Sequence, residues 1–580
     1  TMVTFINKPS QGIQTNNRTK LDHNIIRTNS LTMTQNTLHL ETSPYLLQHA
    51  DNPVHWKAWK PETFQEARDR NLPILLSVGY AACHWCHVMA HESFETTEIA
   101  AQMNASFVNV KVDREERPDI DGIYQHALML MGKQGGWPLT MFLTPDGEPF
   151  WGGTYFPPTS RHGLPGFPEL LQAIGDFYTN KQDQVSDAVG QIKAAMADLT
   201  KANPGNIMPI DFIDDAATRL AREIDPIHGG IGTAPKFPNP TIMELIWRSY
   251  KRTGDTACRD AVHLTLSKMS AGGIYDHLGG GYARYSTDEK WLAPHFEKML
   301  YDNAQLIDLL NGAWADTQDP VYAQRIQETA DWIIREMATP PGGIASTIDA
   351  DSEGVEGKFY VWDKKDIARL LGDKADLFNA AYDVSDHGNW EGVNILNRTE
   401  NPDPFTPDQE AILNRSREIL FDERAKRIPP GWDDKILTDW NGLAIHALAQ
   451  AGAMFERSDW IDAAINGFNF IQSTLSHKNR LFHNWRNDQR GDMATLEDYA
   501  FMVRAAVKLY ETTGKESYVT QAEKWVDTLN EYYLDMTDGG YFFTASDAEN
   551  LIIRRKTASD NATPSGNGIL AEAMARLYFI

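Results

Sequence analysis

Short apolar runs divided by turn residues fill the early part of the chain, and long stretches with apolar residues three and four apart fill the rest. Residues 72–79 (Leu72-Pro73-Ile74-Leu75-Leu76-Ser77-Val78-Gly79) read as a short buried strand. Tyr80-Ala81-Ala82 forms a turn, and helical spacing runs from about 83 to 104. A second strand is predicted over 107–113, a helix over 118–131 and a third strand over 138–143. Thr144-Pro145-Asp146-Gly147 then turns the chain into a Gly- and aromatic-rich strand near 150–155. The result is a βαβ unit followed by a hairpin. From about 167 onward amphipathic helices are predicted at 169–200, 211–224, 240–251, 258–269, 300–315, 321–337, 436–455, 461–475, 496–511 and 515–533. Paired-glycine turns recur among them: Gly229-Gly230-Ile231, Gly272-Gly273-Ile274, Gly342-Gly343-Ile344 and Gly539-Gly540-Tyr541. Such a loose repeat predicts stacked helical hairpins, which close around an axis into an α/α toroid with a central pit.

The organisation expected is a polar disordered tail over 1–37, an α/β domain over 38–165, a helical connector over 166–210 and the toroid over 211–580. Within the tail, residues 1–32 are Asn- and Thr-rich without a hydrophobic period, and Met33 fits a natural start. Hydrophobic residues make up 42% and charged residues 23% of the 580, an ordinary globular balance. Lys+Arg 54 against Asp+Glu 79 gives −25, which argues against nucleic acid or an anionic membrane face as partner. With no apolar stretch of spanning length and no secretory leader pattern, the expected location is cytoplasmic.

Three cysteines are too few for a disulfide-stapled secreted protein, so the close pair Cys83 and Cys86 calls for a chemical explanation, while Cys258 in a helix reads as a small buried hydrophobe. Cys83 opens a predicted helix, where unpaired backbone N–H groups favour a thiolate, which makes it the nucleophile. Cys86, one turn along the same face, is placed to resolve a mixed disulfide. His84 and His87 flank the pair, and a protonated imidazole there would stabilise a thiolate further. This chemistry needs reachable sulfurs. A rival is zinc bound by Cys83, Cys86, His87 and His91, although four ligands along one helix do not readily converge on a tetrahedral ion. No cofactor is implied.

The strand order resembles the thioredoxin fold. The resemblance implies a cis-proline at the start of the third strand, facing the two cysteines, and Trp137-Pro138 matches that position. Thioredoxins usually carry a buried Asp six positions before the first cysteine; Ser77 stands there, which leaves His84, His87 or Asp113 as replacements in the proton relay.

Longer motifs carry a second resemblance. Glu41-Thr42-Ser43-Pro44-Tyr45-Leu46-Leu47-Gln48-His49-Ala50, Gly272-Gly273-Ile274-Tyr275-Asp276-His277-Leu278-Gly279, Ala293-Pro294-His295-Phe296-Glu297-Lys298-Met299-Leu300-Tyr301-Asp302-Asn303, Asp349-Ala350-Asp351-Ser352-Glu353-Gly354 and Thr438-Asp439-Trp440-Asn441-Gly442 look like the spermatogenesis-associated thioredoxin-like family. That resemblance covers nearly all of 38–580. It implies a thioredoxin-like domain fused to a six-hairpin toroid similar to glycosidases and N-acylglucosamine 2-epimerase, here incomplete at its C-terminal end. The pit candidates are Asp276, His277, His295, Glu297, Asp302, Asp349, Asp351, Glu353, Asp439 and Asn441. Carboxylates and imidazoles of this kind suit sugar hydrogen bonding or acid–base work, with Tyr275, Tyr282, Tyr285, Trp291 and Trp440 to stack on rings. The plainer reading makes each acid a cap or salt-bridge partner. The function expected is thiol–disulfide exchange through Cys83 and Cys86, with a disulfide-bearing client or small thiol as partner. The alternatives are a sugar epimerase or glycoside hydrolase with a regulatory thioredoxin-like domain, and a binding scaffold.

Overall fold

In the computed structural model, which describes residues 35–161, 163–199, 205 and 208–580, the run at 72–79 becomes the central strand of a five-stranded sheet. The expected tail over 1–37 lies almost wholly outside the described residues. The strands are β1 (Trp56–Lys57), β2 (Ile74–Gly79), β3 (Val108–Asp113), β4 (Leu139–Leu143) and β5 (Pro149–Gly153), in the order β1-β3-β2-β4-β5. β2 runs parallel to β3 and antiparallel to β4. Every residue of these three strands is buried, which is why they read as short runs without an exposed face. β3 sends Val108, Val110 and Val112 to one apolar core and the polar Asn109, Lys111 and Asp113, equally buried, to the other face. The Trp137–Pro138 bond is cis, as expected.

Helices α1 (Pro44–Gln48), α2 (Pro61–Arg70), α3 (His84–Met89), α4 (Thr97–Ser106) and α5 (Pro118–Leu130) surround the sheet. The single helix predicted over 83–104 is broken. α3 passes into a π turn at Ala90–Phe94, whose extra residue swings Phe94 against Trp56 and His49, and the chain restarts as α4. The predicted helix at 169–200 is likewise two, α6 (Phe167–Asn180) and α7 (Gln182–Leu199). Leu171, Ile174, Val185 and Val189 join the core on one side of the sheet and Ile192 and Met196 that on the other, so both helices pack on the α/β domain.

The remainder is mainly helical and toroid-like: α8 (Ile210–Arg222), α9 (Pro240–Thr253), α10 (Thr256–Ala271), α11 (Leu300–Thr317), α12 (Pro320–Trp332), α13 (Lys364–Leu371), α14 (Ala375–Ala381), α15 (Pro407–Arg424), α16 (Thr438–Met454), α17 (Ser458–Thr474), α18 (Leu496–Thr513), α19 (Glu516–Tyr532) and α20 (Gly566–Phe579). α16 packs between α11 and α18, and α18 also meets α20, while α12, α17 and α19 lie outside their partners. α16 buries nearly every residue, which matches its almost unbroken apolar sequence. α13 to α15 were not anticipated; their apolar faces form a separate small core with Trp362 and Leu396.

Two of the four expected paired-glycine turns, Gly229-Gly230 and Gly539-Gly540, share a construction with a third at Gly280-Gly281, while Gly272-Gly273 and Gly342-Gly343 do not. Lys236 donates to Asp225 (2.6 Å) and to the Gly229 carbonyl (2.9 Å). Lys298 does the same with Asp276 (2.8 Å) and Gly280 (2.8 Å), and Lys556 with Asp535 (2.6 Å) and Gly539 (2.9 Å). In each turn the paired glycines take positive φ, which a Cβ would strain. Three separated hairpins therefore end in one lysine-locked Asp–Gly-Gly loop.

A buried ion cluster joins the α/β domain to the helical region. Lys435 Nζ lies 2.7 Å from Asp113, 2.9 Å from Glu115 and 2.7 Å from Asp433, all without solvent exposure to speak of. Burial opposes its charge, but the surrounding carboxylates outweigh burial and hold Lys435 protonated. Lys435→Met would leave those carboxyls buried without a cation, and a loss of about 3–5 kcal/mol is expected. Chemical denaturation measures it; an unchanged midpoint would remove the cluster from the forces joining the two regions.

Candidate functional site

Cys83 and Cys86 are joined in a disulfide with Cα atoms 5.2 Å apart. Cys83 caps α3 immediately after β2, and its Sγ accepts from the Cys86 N–H at 3.2 Å. The strand-to-helix placement matches expectation, but the openness does not. The two cysteines are only 3% and 2% exposed, packed in the core with Tyr45, Met89 and Phe94, whereas Trp85 between them is 51% exposed. Both sulfurs are thus covered in this conformation.

Residues of the helical region meet the cysteine loop. His87 Nε2 lies 3.4 Å from Asp349 Oδ2, and His84 Nδ1 lies 3.8 Å from Asp351 Oδ1. The rings of His84 and His295 are 5.8 Å apart, and His295 Nδ1 is 2.6 Å from Glu356. Tyr80, in the loop before Cys83, donates to Glu297 at 3.2 Å. Burial works against a charged His87, yet Asp349 and Asp351 outweigh it and raise its pKa; Glu297 and Glu356 do the same for His295. Burial raises the Glu297 carboxyl. Four pit candidates, His295, Glu297, Asp349 and Asp351, therefore face the cysteine loop instead of a separate sugar pit. In this conformation the four zinc candidates do not converge, since both sulfurs are in the disulfide and His91 turns outward to Glu95 at 3.0 Å.

Other candidates are structural. Asp276 holds the lysine-locked turn and accepts from Arg424 at 2.8 and 2.9 Å, and the space beside it and His277 is about 30 Å³, room for one water. His277 pairs Nε2 with the Gly272 carbonyl at 3.0 Å and is pushed down to about 3 by burial and Arg325, so it stays neutral. Glu353 pairs with Lys358 at the surface, and Asn441 ties α16 to the backbone of Ile344 and Leu437.

Asp439 lines a cavity of about 300 Å³ built by both regions. The α/β domain supplies Arg114, Asp121 and His126, and the helical region Tyr301, Trp440, His483, Glu497 and Arg555. Burial pushes Asp439 up to about 7 and Glu497 up to about 8. Asp302, beside Arg284 at 3.3 Å, is raised by burial to about 7, and the buried Tyr301 hydroxyl has no hydrogen-bond partner. Asp439, His483 and Asp498 bring ligand atoms within 4.8 Å, but His483 points Nε2 at the Glu115 carbonyl (2.7 Å) and Nδ1 at Asp498 (2.9 Å). A carbonyl only accepts, and the carboxylates overcome burial to raise His483 to about 10, so both nitrogens carry protons and neither offers a metal a lone pair. The cavity and the cysteine loop share a wall: Arg114 stacks on the Trp137 ring at 4.1 Å, and Trp137 Nε1 donates to Asp121 at 2.9 Å.

Residues 35–197 match the family model described as "Thioredox_DsbH: Protein of unknown function, DUF255". Human spermatogenesis-associated protein 20 is 35% identical over 94% of this chain and 76% of its own length. The chain belongs to the spermatogenesis-associated protein 20 family. The uncharacterized protein B0495.5 of Caenorhabditis elegans is 34% identical over 94% of this chain and 80% of that protein. Among solved structures, a sugar epimerase from a ruminal bacterium aligns with 64% of this chain and 99% of its own at 14% identity and TM-score 0.32. A family 76 α-mannanase of Bacteroides thetaiotaomicron aligns with 64% of this chain and 80% of its own at 11% identity and TM-score 0.39. No helix among the described residues is long and apolar enough to cross a membrane.

Sequence reasoning missed Arg114, Glu115, Lys435, His483 and Arg555. The run Arg114-Glu115-Glu116-Arg117 resembles a solvated loop, yet it leaves the C-terminal end of a parallel strand, where α/β sheets place their ligands; that position was the available signal. Glu497 yields a pH prediction. An unfolded glutamate titrates near ~4.3, so the folded state's preference for the proton gives stability that is full below that value and lost as pH rises through about 8. Glu497→Gln keeps the neutral shape and removes this loss. The variant's thermal midpoint is expected to exceed the parent's by more at pH 8 than at pH 5.5, and a pH-independent difference would show that the carboxyl is ionised throughout.

Proposed function

We propose that this protein cycles Cys83 and Cys86 between disulfide and dithiol, exchanging electron pairs with a small thiol or a disulfide-bearing client engaged by the helical region. One observation carries the reading: the bonded pair sits at the β2–α3 junction, with imidazoles on either side of Cys86 facing carboxylates of the helical region. In the reducing direction the Cys83 thiolate attacks one client sulfur, and the other client sulfur leaves as a thiolate and takes a proton. Cys86 then attacks the Cys83 sulfur; the Cys83–client bond breaks, the client departs with two more electrons, and the disulfide reforms. A dithiol reductant returns the pair to its starting state. His87, whose pKa Asp349 raises against burial, favours the thiolate form when protonated.

Titration in dithiol–disulfide buffers with alkylation and mass measurement tests the reading. Two thiols are expected to appear together and reversibly, with the buried Cys258 constant. Cys83→Ser should abolish the transition. Absence of a reversible couple in the parent would end the reading, and small disulfides should react faster than folded clients because the sulfurs are covered.

The cavity favours a second reading, in which it takes a monosaccharide-sized polyol. Asp439 and Glu497 hold protons near neutral pH and suit donation to a hydroxyl or leaving oxygen, with Trp440 as an apolar wall. A panel of neutral and acidic monosaccharides is expected to contain one that raises the thermal midpoint in the parent and not in Asp439→Asn. A panel without any shift would leave the cavity without this role.

A further inference from the structure

Buried cations elsewhere in this chain sit against carboxylates: Lys236 on Asp225, Lys298 on Asp276, Lys435 on three acids. Lys111 departs from the pattern. It is 1% exposed on β3, and its Nζ contacts Ser77 Oγ at 3.1 Å and the ring faces of Phe94 (4.4 Å), Trp56 (4.8 Å) and Tyr45 (5.1 Å). Burial pushes its pKa well down, and no neighbouring charge pulls it back. The cage still offers π faces to an arriving proton.

The lysine leads towards the disulfide. Ser77 and Lys111 are opposite one another in the β2–β3 register. The Tyr45 ring forms one wall of the cage, and its buried hydroxyl bears on the Ser77 side chain. That hydroxyl and Cys86 Sγ face each other across Gly79, where a Cβ would overlap both atoms. Only glycine leaves that gap open. The remaining ionisable neighbours are His49, whose pKa burial pushes well down, and Asp113, whose charge bears on Tyr45.

We propose that Lys111, reached through Ser77 and the Tyr45 hydroxyl, is the proton store that serves Cys86. The proposal rests on the dithiol–disulfide reading above. With a client held on Cys83 as a mixed disulfide, the Cys86 thiol passes its proton to the Tyr45 oxygen as that hydroxyl passes its own on through Ser77 to the amine form of Lys111, which burial favours. The Cys86 thiolate attacks the Cys83 sulfur, the intramolecular S–S bond forms, and the Cys83–client bond breaks with its electron pair leaving on the client sulfur. When a dithiol reductant reopens the disulfide, the ammonium returns the proton to Cys86. Lys111 thus does from the neighbouring strand what a carboxyl at position 77 would otherwise do, and it acts as a positioning group for the proton without touching the client.

The reduced protein mixed with one equivalent of 4,4′-dithiodipyridine, a small uncharged chromogenic disulfide, separates the steps. The first thiopyridone released reports attack by Cys83, and the second reports resolution by Cys86; Cys86→Ser defines the trace without resolution. In Tyr45→Phe, which keeps the cage and deletes only the hydroxyl, the second phase is expected to slow by about tenfold or more near pH 7. Its rate should also become proportional to hydroxide, with the first phase unchanged, and Lys111→Met should do the same. Tyr45→Phe keeps the question open to refutation if Lys111→Met does not fold. A folded Tyr45→Phe with the parent's second-phase rate and pH profile overturns the relay. A parent with no second release overturns the dithiol–disulfide reading itself, and the relay with it.

Discussion

The Lys435 ammonium is the constraint on which the arrangement depends. It draws Asp113 and Glu115, at the end of β3, and Asp433, just before α16, onto one point with no water to share the charge. One cation among three carboxyls leaves negative charge in excess, and burial settles it by raising Glu115 to about 8, so that this carboxyl keeps its proton at neutral pH. Asp113 further accepts from Ser43 at 2.7 Å, which fixes the segment leading into α1 and so the Tyr45 ring. The same few atoms thereby set the α/β domain against the helical region and position the inner wall of the cysteine site.

Two chemical sites arise from that apposition. Neither is complete on one region alone. The cysteine loop takes its charged neighbours from segments 295–297 and 349–356, and the cavity takes Arg114, Asp121 and His126 from the α/β domain. Arg114, Trp137 and Tyr80 form the partition, with the guanidinium stacked on both rings. A shift of the loop that uncovered the sulfurs would disturb the cavity wall through Tyr80 and Trp137, since packed side chains transmit displacement instead of absorbing it.

Strands β2 to β5 and the cysteine placement were legible in the sequence because each rests on local patterning, while the Trp137–Pro138 cis bond came from the resemblance to the thioredoxin fold and the two-residue β1 was missed. The chain's division into an α/β region and a helical region was legible for the same reason. The break between α3 and α4 was not, since it follows from where Phe94 must go, a tertiary demand that helical periodicity does not encode. The pit candidates divided according to partners that sequence cannot display. Asp276 looked like an acid in a sugar site until Lys298 and Arg424 were found on it, and Asp439 kept its standing because His483 and Asp498, distant in sequence, close around it. The burial of Cys83 and Cys86 was hidden too, because cover is supplied by residues from several elements.

Cation pairing separates scaffold from site more sharply than residue type does. Where a lysine sits on an aspartate and a glycine carbonyl, as at Asp225, Asp276 and Asp535, the carboxyl is pulled well below its ordinary range and has no proton to give near neutrality. Burial is the dominant influence on Glu297, Asp439 and Glu497 and moves them the opposite way; Glu297 stands at the cysteine loop, and Asp439 and Glu497 line the cavity. A buried acid without a full counter-charge costs stability, and a fold that also uses the inexpensive arrangement at three turns has not lacked the means to avoid it. The seam is therefore where this chain concentrates groups able to exchange protons, and the disulfide lies against it.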